Sequence, residues 1–126
     1  MRMIDKERMM AMLRTSKDMQ IEMREKMRDG EGIVQIKHLF KDGDLQGKTR
    51  LVAEVTIPSG GSIGYHRHDQ EEEIFYCISG RGLVTDHDQD REFNTGDALV
   101  TGGGRGHSVK NVGTGPLVLM AVILTY

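Results

Sequence analysis

The chain has 126 residues, the size of one ordinary domain, and its 37% hydrophobic side chains together with 16 glycines give the composition of a globular protein rather than a disordered one. Seventeen basic residues against 19 acidic leave a formal net charge of −2, which provides no basic footprint for a nucleic acid. The longest apolar run, residues 117–124, falls far short of the roughly 20 residues that cross a bilayer as a helix, so no membrane span is expected.

Eight of the nine methionines lie within the first 27 residues, mixed with charges and free of Gly and Pro. This stretch predicts an N-terminal helical extension over residues 1–29, built from a short helix over 5–13 and a second over 17–28. Thr15 and Asp18 resemble a capping box between them, and Gly30 ends the second helix. Met19, Met23 and Met27 would then share one helical face for packing on the domain or on a second subunit. The charges at Arg2, Asp5, Lys6, Glu7 and Arg8 do not suit the uncharged core of a secretory signal. A single cysteine, Cys77, suits a reducing compartment, and the expected location is cytoplasmic.

Residues 30–126 read as an all-β domain. Short segments rich in Val, Ile, Thr, Phe and Tyr are separated by Gly and Asp clusters. Strands are predicted over 33–40, 49–57, 73–79, 82–85, 91–93, 98–100, 107–111 and 117–125. Leu51, Ala53, Val55 and Ile57 form one apolar face of the second strand by alternation. About eight short strands imply a sandwich, jelly roll or closed barrel.

Of the five histidines, His66 and His68 are the informative pair. Residues two apart in an extended chain point to one side, so both imidazoles can face a single ion. If the chain turns through residues 69–72, Glu73 returns beside them, and two neutral nitrogens with one anionic oxygen suit a divalent first-row metal. Glu71 and Glu72 directly precede Glu73. Glu72 is the alternative carboxylate, and neighbours on a strand face opposite sides.

The wider pattern resembles the cupin superfamily, in particular its small single-domain members. Gly60, His66, His68, Glu73 and Gly80 stand at the intervals of the first cupin motif, and Gly96, Gly104, His107 and Asn111 at those of the second. The one departure is Gly102, where the family pattern has proline. The resemblance covers about residues 49–124. It implies a double-stranded β-helix, or jelly-roll barrel, that holds one divalent metal through His66, His68, Glu73 and His107. Within the family's usual range, manganese or iron is the first expectation, with nickel, zinc and copper as competitors.

Four protein ligands leave positions open on a six-coordinate ion, so the expected function is that of a metalloenzyme acting on a small oxygen-rich chelating molecule. Dioxygenase, decarboxylase or isomerase chemistry falls in this class. The alternative is a non-catalytic module that binds or senses a small molecule with the same site. No catalytic residue beyond the ligands is identified, and a homodimer is expected. Alternation from Glu73 would turn Phe75 and Cys77 inward, Cys77 as a buried apolar group or a pocket thiol. His38 and His87 fall outside both motifs and are read as structural or exposed. Asp86, Asp88 and Asp90 mimic a calcium loop, but Arg91 stands where glycine is needed, so a solvated hairpin is expected.

Overall fold

Alternating apolar residues fold into two antiparallel sheets whose inner faces meet. The computed structural model describes residues 11–41 and 43–126, and among them are ten strands: β1 (Gln20–Glu25), β2 (Ile33–Phe40), β3 (Thr49–Ile57), β4 (Ser62–Arg67), β5 (Glu71–Ser79), β6 (Arg81–Asp86), β7 (Gln89–Asn94), β8 (Ala98–Gly102), β9 (Gly106–Asn111) and β10 (Leu117–Thr125). One sheet has six strands in the order β1-β2-β3-β10-β5-β8, and the other has four, in the order β4-β9-β6-β7. The fold is a cupin-type jelly roll, as the resemblance implies. Three predicted strands, over 33–40, 49–57 and 117–125, match β2, β3 and β10 at both ends.

The inner faces supply a continuous core. Val34 and Ile36 of β2, Val55 and Ile57 of β3, and Leu117, Leu119 and Ala121 of β10 are all buried, and Ile63, Val84, Phe93 and Val109 of the smaller sheet pack against them. The rows change character along their length. On β5 the inward residues run Cys77, Phe75, Glu73, and on β9 they run Asn111, Val109, His107. One end of the barrel is therefore stitched by Asn111, whose side-chain amide donates to the carbonyls of Ile57 (2.9 Å) and Gly115 (2.8 Å) while its oxygen accepts from the Gly113 N–H. The other end is polar.

The predicted second helix is corrected: residues 20–25 form strand β1, hydrogen-bonded to β2 with Gln20 opposite His38 and Glu25 opposite Ile33. Only single 3-10 turns flank it, at Ser16–Asp18 and Met27–Asp29. Thr15 and Asp18 do bond through their side chains at 3.0 Å, but what they close is that one turn. Two physical reasons decide the outcome. Unpaired N–H and C=O groups on the edge of β2 favour a partner strand, and tertiary pairing overrides helix propensity. The row of β1 that faces inward is also polar, Gln20, Glu22 and Arg24, while Ile21 and Met23 point outward and are more than half exposed. A strand with its apolar residues outside gives no recognisable core alternation. Residues 11–15 have no regular structure, and the rest of the first predicted helix lies outside the described residues.

Candidate metal centre

Three strands bring four donor side chains to the polar end of the barrel. His66 stands near the end of β4, His68 just beyond it, His107 on β9 and Glu73 on β5. His66 and His107 are direct partners across β4 and β9. The aim of His66 depends on a register shift: Ile63 pairs with Val109 and His66 with His107, so three steps on β4 match two on β9. This bulge at Gly64 and Tyr65 lets Ile63 and His66 both face inward despite their odd spacing, a use of bulges common beside functional sites.

The donor atoms of the four side chains all lie within 4.8 Å of one another. Glu73 Oε1 is 3.1 Å from His68 Nε2 and 3.0 Å from His107 Nε2, and His107 Nε2 is in turn 3.0 Å from His68 Nε2 and 3.1 Å from His66 Nε2. The three imidazoles meet edge to face at 4.7 to 4.9 Å between centroids. Phe75 stacks on the His107 ring at 5.0 Å, closing the apolar side. His68, Glu73 and His107 are buried.

Groups behind the four side chains fix their orientation. The Gly64 carbonyl is 2.7 Å from His66 Nδ1, and since a carbonyl only accepts, Nδ1 carries the proton and Nε2 turns its lone pair to the centre. His107 Nδ1 meets the buried Thr101 hydroxyl at 2.9 Å. His68 Nδ1 is buried without a hydrogen-bond partner, its nearest carboxylate being Glu71 Oε1 at 3.7 Å. Glu71 is itself clamped by Arg50, whose Nε and Nη2 donate at 2.9 and 3.1 Å.

Electrostatics agree with the donor set. Burial pushes the His66 imidazole down to about 4, so it is neutral at physiological pH. For Glu73 burial acts to raise the carboxyl, but contacts with His107 and His68 outweigh it and hold the group below its ordinary value, as an anion. Neutral imidazoles and an ionised carboxylate are the states that metal coordination requires. Three Nε2 atoms and a carboxylate oxygen crowded on one point, with few protons to share among them, fit a divalent cation better than a closed hydrogen-bond network.

A cavity of about 120 Å³ opens from this cluster. Apolar walls come from Ile36, Leu51, Val55 and Ile123, and the mouth carries Arg24, Arg28, Arg50 and His38. His38 is here a site residue. Its Nε2 lies 2.9 Å from Glu22 Oε1, and it is nearly buried. The sequence contained the signal, because Val34, Ile36 and His38 alternate on one face of the predicted strand over 33–40. Arg24 and Arg28 were hidden by the helix reading, and Thr101 by the lack of any motif around it. His87 is exposed at the tip of the β6–β7 hairpin, where Asp86 and Gln89 pair, as expected of a solvated turn.

Cys77 is fully buried in the core, its thiol pushed up by burial, and does not line the cavity. Gly102 has a steric reason to differ from proline. A Cβ there would stand 2.5 Å from Glu72 Cβ and 2.9 Å from the Glu71 carbonyl. The turn that follows is tied to the site by the Gly104 N–H donating to His68 O and the His68 N–H to Arg105 O.

Two packed antiparallel sheets with three imidazoles and one carboxylate gathered inside one end define a jelly-roll barrel able to hold a metal ion. A family model described as the cupin domain matches residues 53–123, and the chain belongs to the cupin family. It is 38% identical over 98 residues to an oxalate-binding protein of Thermotoga maritima, covering 78% of this chain and 81% of that one. An uncharacterised protein of Methanocaldococcus jannaschii is 31% identical over 85 residues, 68% of each chain. Among solved structures, a predicted oxalate decarboxylase from Thermotoga maritima superposes with a TM-score of 0.86 at 35% identity, covering 91% of this chain and 100% of that one.

Proposed function

We propose that this protein binds one divalent metal ion through His66, His68, Glu73 and His107 and uses it to hold and transform a small oxygen-rich acid. The observation that carries this reading is the convergence of the four donor atoms, with His66 Nε2 aimed inward by the Gly64 carbonyl. Manganese or iron is the proposed ion, from the carboxylate ligand and the open positions that four protein ligands leave. When bound, such an ion polarises a chelated carboxylate or carbonyl. The chain's own residues do the rest: apolar walls exclude water, and the His38–Glu22 pair sets a proton-carrying group in the same cavity. The names of the Thermotoga relatives support a small dicarboxylate as the ligand class and decarboxylation or oxidation as the chemistry.

The second reading, a module that binds without turnover, is favoured by the name of the oxalate-binding relative. Protein purified without a His tag should carry one ion per chain by elemental analysis, and H107A should carry none; full occupancy in H107A sinks the ligand set. Carbon dioxide release from oxalate by manganese-loaded wild type, absent in H66A, marks an enzyme. Stabilisation by oxalate without product marks the binding module.

The lone, buried Cys77 supports a reducing, cytoplasmic setting; among the described residues no helix is long and apolar enough to cross a membrane. A homodimer is proposed through the outer face of the six-stranded sheet, where Ile21, Met23, Ile74, Tyr76 and Val100 are exposed.

A further inference from the structure

We infer that Arg28, carried on the connection between β1 and β2, recognises the carboxylate of a small dianion that the metal does not hold. This rests on the metal-centre reading and adds to it the residue that sets charge specificity.

The connection is laid across the site with little freedom. Lys26, Arg28 and Asp29 all take left-handed backbone conformations, with φ of 51°, 54° and 63°, which non-glycine residues keep only where their surroundings over-determine them. Here the surroundings are on β4. A Cβ on Gly64 would lie 1.9 Å from the Arg28 carbonyl, and one on Gly30 would lie 2.2 Å from the Ser62 carbonyl, so both contacts need glycine. Ser62 adds a hydroxyl that accepts from the Glu31 N–H, and its own N–H donates to Glu31 O. Met27 packs against the core. The segment so pinned packs against Gly64, two residues before His66, and places Arg28 at the cavity mouth.

Charge distinguishes Arg28 from its neighbours. Arg24 is engaged by Glu22 at 2.6 Å and Arg50 by Glu71 at 2.9 Å, whereas among the described residues no carboxylate pairs with Arg28. A divalent ion (+2) with Glu73 (−1) and neutral imidazoles leaves +1, and Arg28 raises the field at the cavity to +2. The complement is a dianion, one end on the ion and the other on a guanidinium whose planar fork matches a carboxylate. The cavity of about 120 Å³ is well below the roughly 300 Å³ at which drug-sized pockets begin, which restricts the occupant to a small acid.

The test uses manganese-loaded wild type, R28Q and R28K, with calorimetric titration of oxalate and of oxamate, its monoanionic isostere. R28Q should keep one ion per chain and lose at least about tenfold in oxalate affinity, with less than about threefold lost for oxamate, and R28K should lie between. Unchanged oxalate affinity in R28Q, equal losses for both anions, or a metal-loaded wild type that binds no oxalate would each overturn the assignment while leaving the metal centre standing. A wild type that takes up no divalent ion overturns the metal-centre reading as well.

Discussion

The backbone of Arg28 occupies the space beside Gly64 that any other residue would fill: a Cβ on Gly64 would come within 1.9 Å of the Arg28 carbonyl. The same Gly64 offers its own carbonyl to His66 Nδ1 at 2.7 Å. One glycine thus sets both the position of the β1–β2 connection and the ring orientation of a histidine in the four-donor cluster. G64A should displace the connection, cost about 1–3 kcal/mol by overpacking, and weaken metal binding together with oxalate binding. Denaturant unfolding and metal titration check this. A variant of wild-type stability with unchanged metal affinity would show that the contact relaxes without consequence.

Thr101 tests orientation without touching the donor atoms. Its hydroxyl is 2.9 Å from His107 Nδ1, and both groups are buried. T101V keeps the shape and removes the partner, so metal affinity should fall roughly 10- to 100-fold, the usual effect of losing a group that orients a ligand. Competition with a chelator of known affinity measures it. The fold should survive, because β8 keeps its pairing of Thr101 with Glu73.

Acid should weaken the metal-free protein from two directions. His66 is held down to about 4 from an ordinary 6.5, chiefly by burial. Between those values the unfolded chain binds a proton that the folded chain does not, so stability falls as pH drops from about 6.5 to about 4. Glu73 is also held below its ordinary value of 4.5. The stability this carboxylate contributes is present above that value and is lost as pH falls through its folded-state value. Thermal unfolding across this range should therefore show a falling midpoint toward acid. Manganese should raise the midpoint near neutrality and lose its effect at low pH, where protons compete for the ligands. A midpoint that is flat or rises toward acid contradicts the assigned protonation states.

Asn111 separates scaffold from site. It stands on the strand of His107, four residues along and at the closed end, with its side chain bonded to Ile57, Gly115 and Gly113. N111A removes three side-chain bonds to the backbone, one of them to the buried Ile57 carbonyl, and should destabilise by about 1–3 kcal/mol. Metal stoichiometry measured well below the lowered melting point should remain one per chain. Loss of the ion from folded N111A would place this residue in the site and not behind it.

What the sequence made legible follows from which signals are local. β2, β3 and β10 were readable because alternation and flanking turns mark them, and the gathering of His66, His68, Glu73 and His107 because motif spacing reports a barrel directly. β4 was not predicted as an element. Its bulge at Gly64 and Tyr65 breaks the two-residue period, and two of its six residues are Ser and Gly. β1 was misread because its inward row is polar and its outward row apolar, the reverse of a core strand. Within that polar row Arg24 lines the cavity mouth and Glu22 holds the cavity residue His38, so the residues that break the pattern are the ones that serve the site, with Arg28 just beyond them. His38 was within reach, since alternation along β2 already put it on the face of Val34 and Ile36.

The outward face of the six-stranded sheet supplies the last test. Ile74 of β5 lies beside Val122 of β10 and Val100 of β8 on that face, and Ile74, Tyr76, Ile78 and Val100 are all more than a third exposed. At the far edge Ile21, Met23 and Ile33 are a separate apolar group, divided from this patch by Gln35 and Lys37 of β2 and Glu54 and Thr56 of β3. Contiguous apolar area of this kind marks a protein contact. A second copy of this chain is the proposed occupant, because a two-fold pairing of one sheet face buries the patch on both partners at once. I74K places a charge in the patch, next to Val100 and on the face opposite the inward row of Glu73, Phe75 and Cys77. Sedimentation equilibrium should give the mass of two chains for wild type at micromolar concentration and of one for I74K, with bound metal per chain the same in both. A wild type that sediments as a monomer removes the pairing and leaves the metal centre, which is built within one barrel, as it stands.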